Sequence, residues 1–455
     1  MTLRFGTDGV RGVANVDLTP ELVVALGRAA AEVLGTDGVP FVIGRDTRRS
    51  GPMLEGALVA GITAAGSDVL LAGVVPTPGV AFECRERNAP GAVISASHNP
   101  FPDNGIKFFA AGGVKLNDAQ ERAVEAALTR ILGTAPPPDP SGAAGLAIGT
   151  VRVLEDAAPR YVAHVVHILG DGDDRHEPLD GVHVVVDCGN GAASAVGPAA
   201  LRALGAHVTV LHDEPDGANI NAGCGSTDPS ELQARVVAAG AAAGLAFDGD
   251  ADRVIAVDAA GTLIDGDQIL AMCAIDLHER GLLHGDAIAV TVMSNLGLRQ
   301  ALARHAIGIV ETAVGDRAVL EALAEHSLAL GGEQSGHVIF ADHATTGDGV
   351  LTGAFILALV ARSGRSLAEL AVVTRLPQVL ENVRVADRSG LDTAADFWAA
   401  VAAAEVELGA GGRVLVRPSG TEPVVRIMVE APTDAEARAL VARLHAALVA
   451  ALGPV

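Results

Sequence analysis

Three carboxylates stand at alternate positions in Asp248-Gly249-Asp250-Ala251-Asp252, directly after the apolar run Leu245-Ala246-Phe247. A strand ending in such a loop can turn all three toward one hard cation. With oxygen ligands only and no neighbouring Cys or His, the donor set favours Mg²⁺ over zinc. An EF-hand is excluded, because the sixth loop position is Arg253 rather than Gly and the twelfth is Ala259 rather than Glu. The competing reading is a solvated acidic turn, which the preceding strand and the adjoining Arg253 disfavour.

A second cluster, Ser95-Ala96-Ser97-His98-Asn99-Pro100, follows the apolar strand Gly91 to Ile94 and is trailed by Asp103-Asn104-Gly105-Ile106-Lys107. A hydroxyl at a strand end beside a basic side chain is a candidate nucleophile, although taken alone the motif also serves as a turn or helix cap. A third cluster, Arg417-Pro418-Ser419-Gly420-Thr421-Glu422-Pro423 with Arg426 beyond, gathers two guanidiniums, two hydroxyls and several backbone N–H groups in a tight loop. That inventory suits the oxygens of a phosphate monoester, against the plainer reading of a β-turn with two surface arginines. Lys107 and Lys115 are the only lysines among 32 basic residues. Where composition runs so strongly to Arg, a retained Lys suggests a need for a compact ammonium with a tunable pKa. Chance retention is the alternative, and it weighs more for Lys115 than for Lys107.

Asp187-Cys188-Gly189-Asn190-Gly191-Ala192-Ala193-Ser194 has glycines near a strand-to-helix junction, but Ser194 stands where a dinucleotide fingerprint has its third glycine. Tight helix packing is expected there rather than cofactor binding. There is no GxxxxGK[ST] loop to cradle nucleotide phosphates.

These loops need elements to aim them. Short β-rich runs (Phe41 to Ile43, Ala92 to Ile94) alternate with helical stretches such as Ser50 to Gly66, which predicts an α/β unit with a mostly parallel sheet. A proline-rich stretch, Thr134 to Gly145, is expected to be an exposed loop or hinge. A second unit opens at the strand Val182 to Val186, and a third at Ala287 to Val292 followed by the helix Leu296 to His305. Beyond about residue 370, Asn382 to Val385, the helical Thr393 to Leu408, Arg413 to Val416 and the helical Asp434 to Leu452 predict a small α+β domain with an antiparallel sheet. The expected domains are 1–155 with the Ser97 loop, 156–253 with the aspartate loop, 254–370, and 371–455 with the Arg417 loop.

A chain of 455 residues is too long for one hydrophobic core. Its net charge of −23 repels nucleic acid and anionic membrane surfaces, so neither is an expected partner and an anionic substrate needs a local cationic pocket. Apolar runs such as Gly349 to Ala361 fall short of a bilayer span, and Met1 to Phe5 starts no secretory signal, so a cytoplasmic location is expected. Cys84, Cys188, Cys224 and Cys273 are far apart in the chain, which argues against a disulfide framework or a zinc site.

In this order the motifs resemble the α-D-phosphohexomutase family, from Phe5-Gly6-Thr7-Asp8-Gly9-Val10-Arg11-Gly12 to the Arg417 loop, nearly the whole chain. The resemblance implies an α/β fold: three similar α/β domains with mixed sheets plus a small α+β C-terminal domain around a central cleft. It implies that Ser97 carries a phosphoryl group and joins Asp248, Asp250 and Asp252 in holding Mg²⁺. Glu333 and Ser335 of Gly332-Glu333-Gln334-Ser335-Gly336-His337 would contact sugar hydroxyls, making 254–370 the sugar-binding domain. Arg417, Ser419, Gly420, Thr421 and Arg426 would hold the substrate's distal phosphate, and Arg11, Lys107 and His337 match positions implicated in proton transfer. The segments at Phe5, Gly332 and Arg417 look like the branch acting on glucosamine phosphates rather than mannose phosphates. One departure is Ala313 in Thr312-Ala313-Val314-Gly315-Asp316, where that branch usually has Lys, which puts one cleft charge in doubt.

The implied reaction interconverts glucosamine 6-phosphate and glucosamine 1-phosphate through phospho-Ser97 and a 1,6-bisphosphate, feeding amino-sugar nucleotide and cell-wall precursor supply. Priming would come from glucosamine 1,6-bisphosphate or a kinase, and a homodimer is an open option. The alternatives are a phosphomannomutase/phosphoglucomutase of the same family, a magnesium-dependent phosphosugar phosphatase, and a catalytically inert phosphosugar-binding protein.

Overall fold

The computed structural model describes residues 9–133, 143–170, 177–386, 388–418 and 424–453. The start of the Phe5 motif, most of the proline-rich stretch and Ser419 to Pro423 lie outside the described residues. The chain divides into two compact units, Met1–Met293 with Ile307–Ala371, and Ser294–Ala306 with Val372–Val455.

The larger unit holds three sheets, and in each the central strands are uninterrupted apolar runs, as strands covered on both faces must be. The first comprises β1 (Val10–Val13), β2 (Phe41–Arg45), β3 (Val69–Val74), β4 (Gly91–Ile94), β5 (Asp103–Phe109) and β6 (Val151–Val153) in the order β1-β5-β4-β2-β3-β6. The β4-β2-β3-β6 part is parallel, whereas β1 and β4 both pair antiparallel with β5, so the sheet is mixed. The second comprises β7 (His183–Asp187), β8 (His207–Leu211), β9 (Ala243–Phe247), β10 (Val254–Asp258) and β11 (Leu263–Ile264) in the order β11-β10-β9-β7-β8. The third comprises β12 (Ala287–Thr291), β13 (Gly308–Thr312), β14 (Leu330–Gly332) and β15 (Val338–Phe340) in the order β13-β12-β14-β15.

The break expected between residues 253 and 254 falls inside the second sheet, because β10 pairs antiparallel with β9, Val254 opposite Phe247. The aspartate loop is therefore the turn of a hairpin rather than the end of a unit.

The smaller unit carries β16 (Gln378–Arg384), β17 (Arg413–Pro418) and β18 (Val424–Glu430), all antiparallel in the order β16-β18-β17. The helices Ala395–Leu408 and Asp434–Leu452 supply Phe397, Val401, Leu440 and Leu444 to its core. The helix Leu296–Arg304 belongs to this unit because its N-terminus is held there. Buried Glu430 accepts the Leu296 N–H at 2.9 Å and the Asn295 amide at 3.2 Å, placing a carboxylate at the positive end of the helix. Among the described residues no helix is long and apolar enough to cross a membrane.

Candidate active site

Polar loops leave the carboxyl ends of parallel strands in the larger unit, the positions where open α/β sheets place their ligands. Residues 46–48 follow β2, Thr77 lies beyond β3, Ser95 to Ser97 follow β4, Asp248 to Asp252 follow β9, and Glu333 follows β14.

Ser97 sits in the left-handed region at φ +51° and is fully buried. Such a conformation is costly for a residue with a Cβ and persists only where its surroundings over-determine it. Here they do. The Ser97 N–H donates to Ser95 Oγ at 2.9 Å, and its carbonyl accepts from Arg48 Nη2 and from Asn221 Nδ2, each at 2.9 Å. Arg48, with no exposed surface, also donates to the carbonyls of Asn99, Pro100 and Asp103, and through Nε to Asp46 Oδ2 at 2.8 Å. Ser95 Oγ completes the knot by donating to Asp46 Oδ2 at 2.7 Å. Burial pushes the Asp46 carboxyl above its ordinary range despite Arg48. Neither Asp46 nor Arg48 was singled out by the sequence motifs; their signal was a polar Arg45-Asp46-Thr47-Arg48 run at a strand end.

The Ser97 hydroxyl donates to Asp248 Oδ2 at 2.6 Å, so the serine and the aspartate loop form one site. A Cβ at Gly249 would lie 2.6 Å from the Ser97 carbonyl oxygen, which is why the residue after Asp248 has no side chain. Thr77 Oγ1 donates to Asp250 Oδ2 at 2.6 Å, and Lys107 Nζ reaches Asp250 Oδ2 at 3.1 Å and Asp252 Oδ2 at 3.4 Å. Burial, followed by the charges of Asp252 and Asp250, pushes Asp248 well above the usual carboxylate range. For Asp252 burial acts the same way but is outweighed by Lys107, His337 and Arg253, leaving it well below that range.

The triad fits a cation on a structural test. Carboxylate oxygens from all three aspartates lie within 4.8 Å of one another, and Asp250 Oδ1 and Asp252 Oδ1 are buried without a hydrogen-bond partner. Buried lone pairs of this kind, all on oxygen, are the donors a hard divalent ion requires.

The β14–β15 hairpin brings the third loop to the same place. Val254 N–H donates to the Gly336 carbonyl at 3.1 Å, seating the Glu333 to Gly336 turn on the start of β10. Buried His337 lies with Nδ1 3.7 Å from Asp252 Oδ2 and Nε2 3.6 Å from Asp316 Oδ2. Its burial opposes protonation, but Asp252 and Asp316 outweigh that and raise its pKa. Asp316 in turn pairs with Lys115, giving that lysine a buried partner near the site. Glu333 Oε1 accepts the Gly315 N–H at 3.2 Å, and Ser335 Oγ donates to Glu333 Oε2 at 3.4 Å. Arg253 Nη1 donates to His98 Nδ1 at 3.2 Å, and burial with Arg253 and Arg11 holds His98 below its ordinary pKa. Arg11, on β1 opposite Gly105, thus lies close enough to act on the Ser97 loop electrostatically.

In the smaller unit Arg417 on β17 lies directly opposite Arg426 on β18. Burial and the Arg426 charge lower the Arg417 pKa, and Arg426 Nε is buried without a hydrogen-bond partner. Two like charges facing across a strand pair are destabilising unless an anion lies between them.

The sequence matches the domain profiles described as "Phosphoglucomutase/phosphomannomutase, alpha/beta/alpha domain" I over residues 2–133, II over 159–261 and III over 265–376, and the C-terminal domain over 380–447. It is 53% identical over 451 residues to the phosphoglucosamine mutase of Thermobifida fusca, covering 98% of this chain and 97% of the relative. It is 54% identical to that of Frankia alni, covering 99% of each. Among solved structures it is similar to a phosphoglucomutase/phosphomannomutase family protein from Burkholderia thailandensis, with a TM-score of 0.80 at 28% identity over 98% of this chain and 97% of the other. Aspergillus fumigatus N-acetylphosphoglucosamine mutase, solved with GlcNAc-6P and magnesium, shares the fold at a TM-score of 0.67 and 19% identity over 99% of this chain and 96% of the other.

Proposed function

The chain belongs to the phosphoglucomutase/phosphomannomutase family, and we propose that it interconverts glucosamine 6-phosphate and glucosamine 1-phosphate through a phosphorylated Ser97. The observation that carries the reading is the 2.6 Å hydrogen bond from the Ser97 hydroxyl to Asp248, a nucleophile seated on a carboxylate of a cation-binding loop. The identity to named phosphoglucosamine mutases over nearly the full length supports the amino-sugar substrate.

In the forward step the Oγ–P bond at Ser97 breaks while a sugar hydroxyl oxygen takes the phosphoryl group and passes its proton to a cleft base, and the freed Ser97 Oγ takes up a proton. The sugar then carries two phosphates; after it turns over, the other phosphate returns to Ser97 and its sugar oxygen regains a proton. Such transfers need positioning and charge neutralisation more than covalent chemistry. Mg²⁺, held by Asp248, Asp250 and Asp252 with Ser97, would supply a Lewis acid for the phosphoryl oxygens. Arg11 and Lys107 are the cationic groups, and His337 is the group that handles a proton. The buried knot of Arg48, Asp46 and Ser95, with half-buried Asn221 on the Ser97 carbonyl, holds the Ser97 backbone still through both transfers. Glu333 and Ser335 would meet the sugar hydroxyls and the C2 amine, whose positive charge suits the Glu333 carboxylate. Arg417, Ser419, Gly420, Thr421 and Arg426 would take the distal phosphate.

A coupled assay with glucosamine 6-phosphate tests this, with free phosphate measured in parallel. Glucosamine 1-phosphate should form without phosphate release, and intact mass should show one phosphate that Ser97→Ala lacks. Phosphate release without product would make the chain a phosphatase. A higher kcat/KM on mannose or glucose 6-phosphate would move it to the phosphomannomutase/phosphoglucomutase branch.

A further inference from the structure

Away from the aspartate triad, three different ligand types converge from turns with no short spacing in sequence: Asp187 ending β7, His212 just after β8, and Cys224 before the short turn Gly225–Thr227. A carboxylate oxygen, a ring nitrogen and Sγ lie within 4.8 Å of one another. Asp187 and Cys224 are fully buried, while His212 keeps 23% of its side chain exposed.

The histidine is the informative member. Its Nδ1 is 3.0 Å from Asp187 Oδ1, yet it is buried without a well-aligned hydrogen bond. The opposite nitrogen, Nε2, lies 3.3 Å from Glu231 Oε2. One ring nitrogen against a buried carboxylate, the other turned onto an outer carboxylate, and a thiol within 4.8 Å of the group make the arrangement of a metal-bound histidine and its supporting shell.

We propose that Asp187, His212 and Cys224 bind a borderline divalent cation of the zinc class, at a site separate from the Asp248–Asp252 triad. The mixed O, N and S donors suit Zn²⁺ or Co²⁺ and disfavour Mg²⁺, so the two sites sort ions by ligand chemistry. On binding, the Cys224 S–H bond breaks, a sulfur–metal bond forms, and the proton goes to solvent. The role is structural. Gly225 N–H donates to Asp187 Oδ2 at 2.9 Å, Asn221 N–H to the Gly189 carbonyl at 2.9 Å, and Asn221 Nδ2 to the Ser97 carbonyl. A cation joining the three turns would therefore brace the underside of the Ser97 loop. The inference stands independently of the substrate reading.

The test is a Co²⁺ titration of the metal-stripped full-length chain in excess Mg²⁺, which keeps the triad filled. The expected result is one Co²⁺ per chain with a thiolate-to-cobalt charge-transfer band and tetrahedral visible bands, both displaced by Zn²⁺. Cys224→Ser should abolish the charge-transfer band, Asp250→Ala should leave it intact, and Glu231→Gln should weaken binding by about 10–100-fold. No charge-transfer band in folded wild-type protein, or a band that survives Cys224→Ser, would overturn the proposal. The wild-type titration decides alone if a variant fails to fold.

Discussion

Gly347 donates its backbone N–H to His337 Nε2 across 3.1 Å, and this contact makes Nε2 the acceptor nitrogen of the neutral ring, leaving the hydrogen on Nδ1 toward Asp252. A Cβ at position 347 would lie 2.5 Å from the ring. Gly347→Ala should therefore displace His337 and lower kcat by about 100-fold, the scale of a misplaced catalytic group, with far-ultraviolet circular dichroism unchanged. An unaltered kcat would remove His337 from proton transfer.

Metal removal should destabilise as well as inactivate. Stripped of a cation, Asp248, Asp250 and Asp252 are three buried carboxylates within one loop, helped chiefly by Lys107 and Arg253. Adding Mg²⁺ to 100 times its dissociation constant should raise stability by about 2.7 kcal/mol, read as an increase in Tm. Asp250→Ala should lose both the Mg²⁺-dependent rise and the activity. A Tm indifferent to Mg²⁺ in the wild type would count against the triad as the ion's site.

Asp348 gives a pH dependence whose sign can be worked out. It is buried, caps the helix Gly349–Ser363 through the Leu351 N–H at 2.9 Å, and accepts the Tyr161 hydroxyl at 2.6 Å. Burial, offset in part by these bonds, raises its pKa from 3.8 to about 6. A raised carboxyl pKa means the folded chain holds the proton more tightly, so this group's stabilisation is full below pH 3.8 and is lost as pH rises through about 6. The change is about 3 kcal/mol. Asp348→Asn keeps both accepting bonds and should flatten the Tm profile between pH 4 and 6; an unchanged profile would place the titration elsewhere.

The strands and the loops at Ser97 and Asp248 were legible because apolar runs end abruptly in polar residues, at Ile94 and Phe247, whereas the Glu333 loop was legible only through the family resemblance. Less legible was anything that depends on contacts distant in sequence. Lys115 read as a surface lysine as readily as a functional one, and only the fold pairs it with Asp316. Asp252 looked like the end of a unit because the residues turn polar there, yet β10 returns alongside β9. His212 and Cys224 had no spacing that suggested a shared site.

Arg417→Ala should act on substrate binding. Facing Arg426, it is held in place at a cost that an anion would relieve. Loss of one charge-assisted contact, about 1.5–3 kcal/mol, should raise KM for the phosphosugar by roughly 10–100-fold with a smaller change in kcat. Equal KM values for wild type and variant would leave the loop as a turn only.

Arg48 is the position where stability and activity should fall together. Its guanidinium donates five hydrogen bonds, one to Asp46 and four to the carbonyls of Ser97, Asn99, Pro100 and Asp103. Those carbonyls form the inner side of the loop that holds Ser97 at a positive φ, so the arginine is the mould around which the loop sets. Arg48→Ala would leave Asp46 buried beside Ser95 without its cation, and breaking a buried pair in this way costs about 3–5 kcal/mol. Arg48→Lys restores the charge but not the planar fork, since one ammonium has three donors and cannot span the same carbonyls. The lysine variant should therefore regain part of the lost stability in urea denaturation while kcat stays depressed at temperatures where it is folded. Wild-type kcat in folded Arg48→Lys would mean that charge alone sets the Ser97 loop and that the fork geometry plays no part.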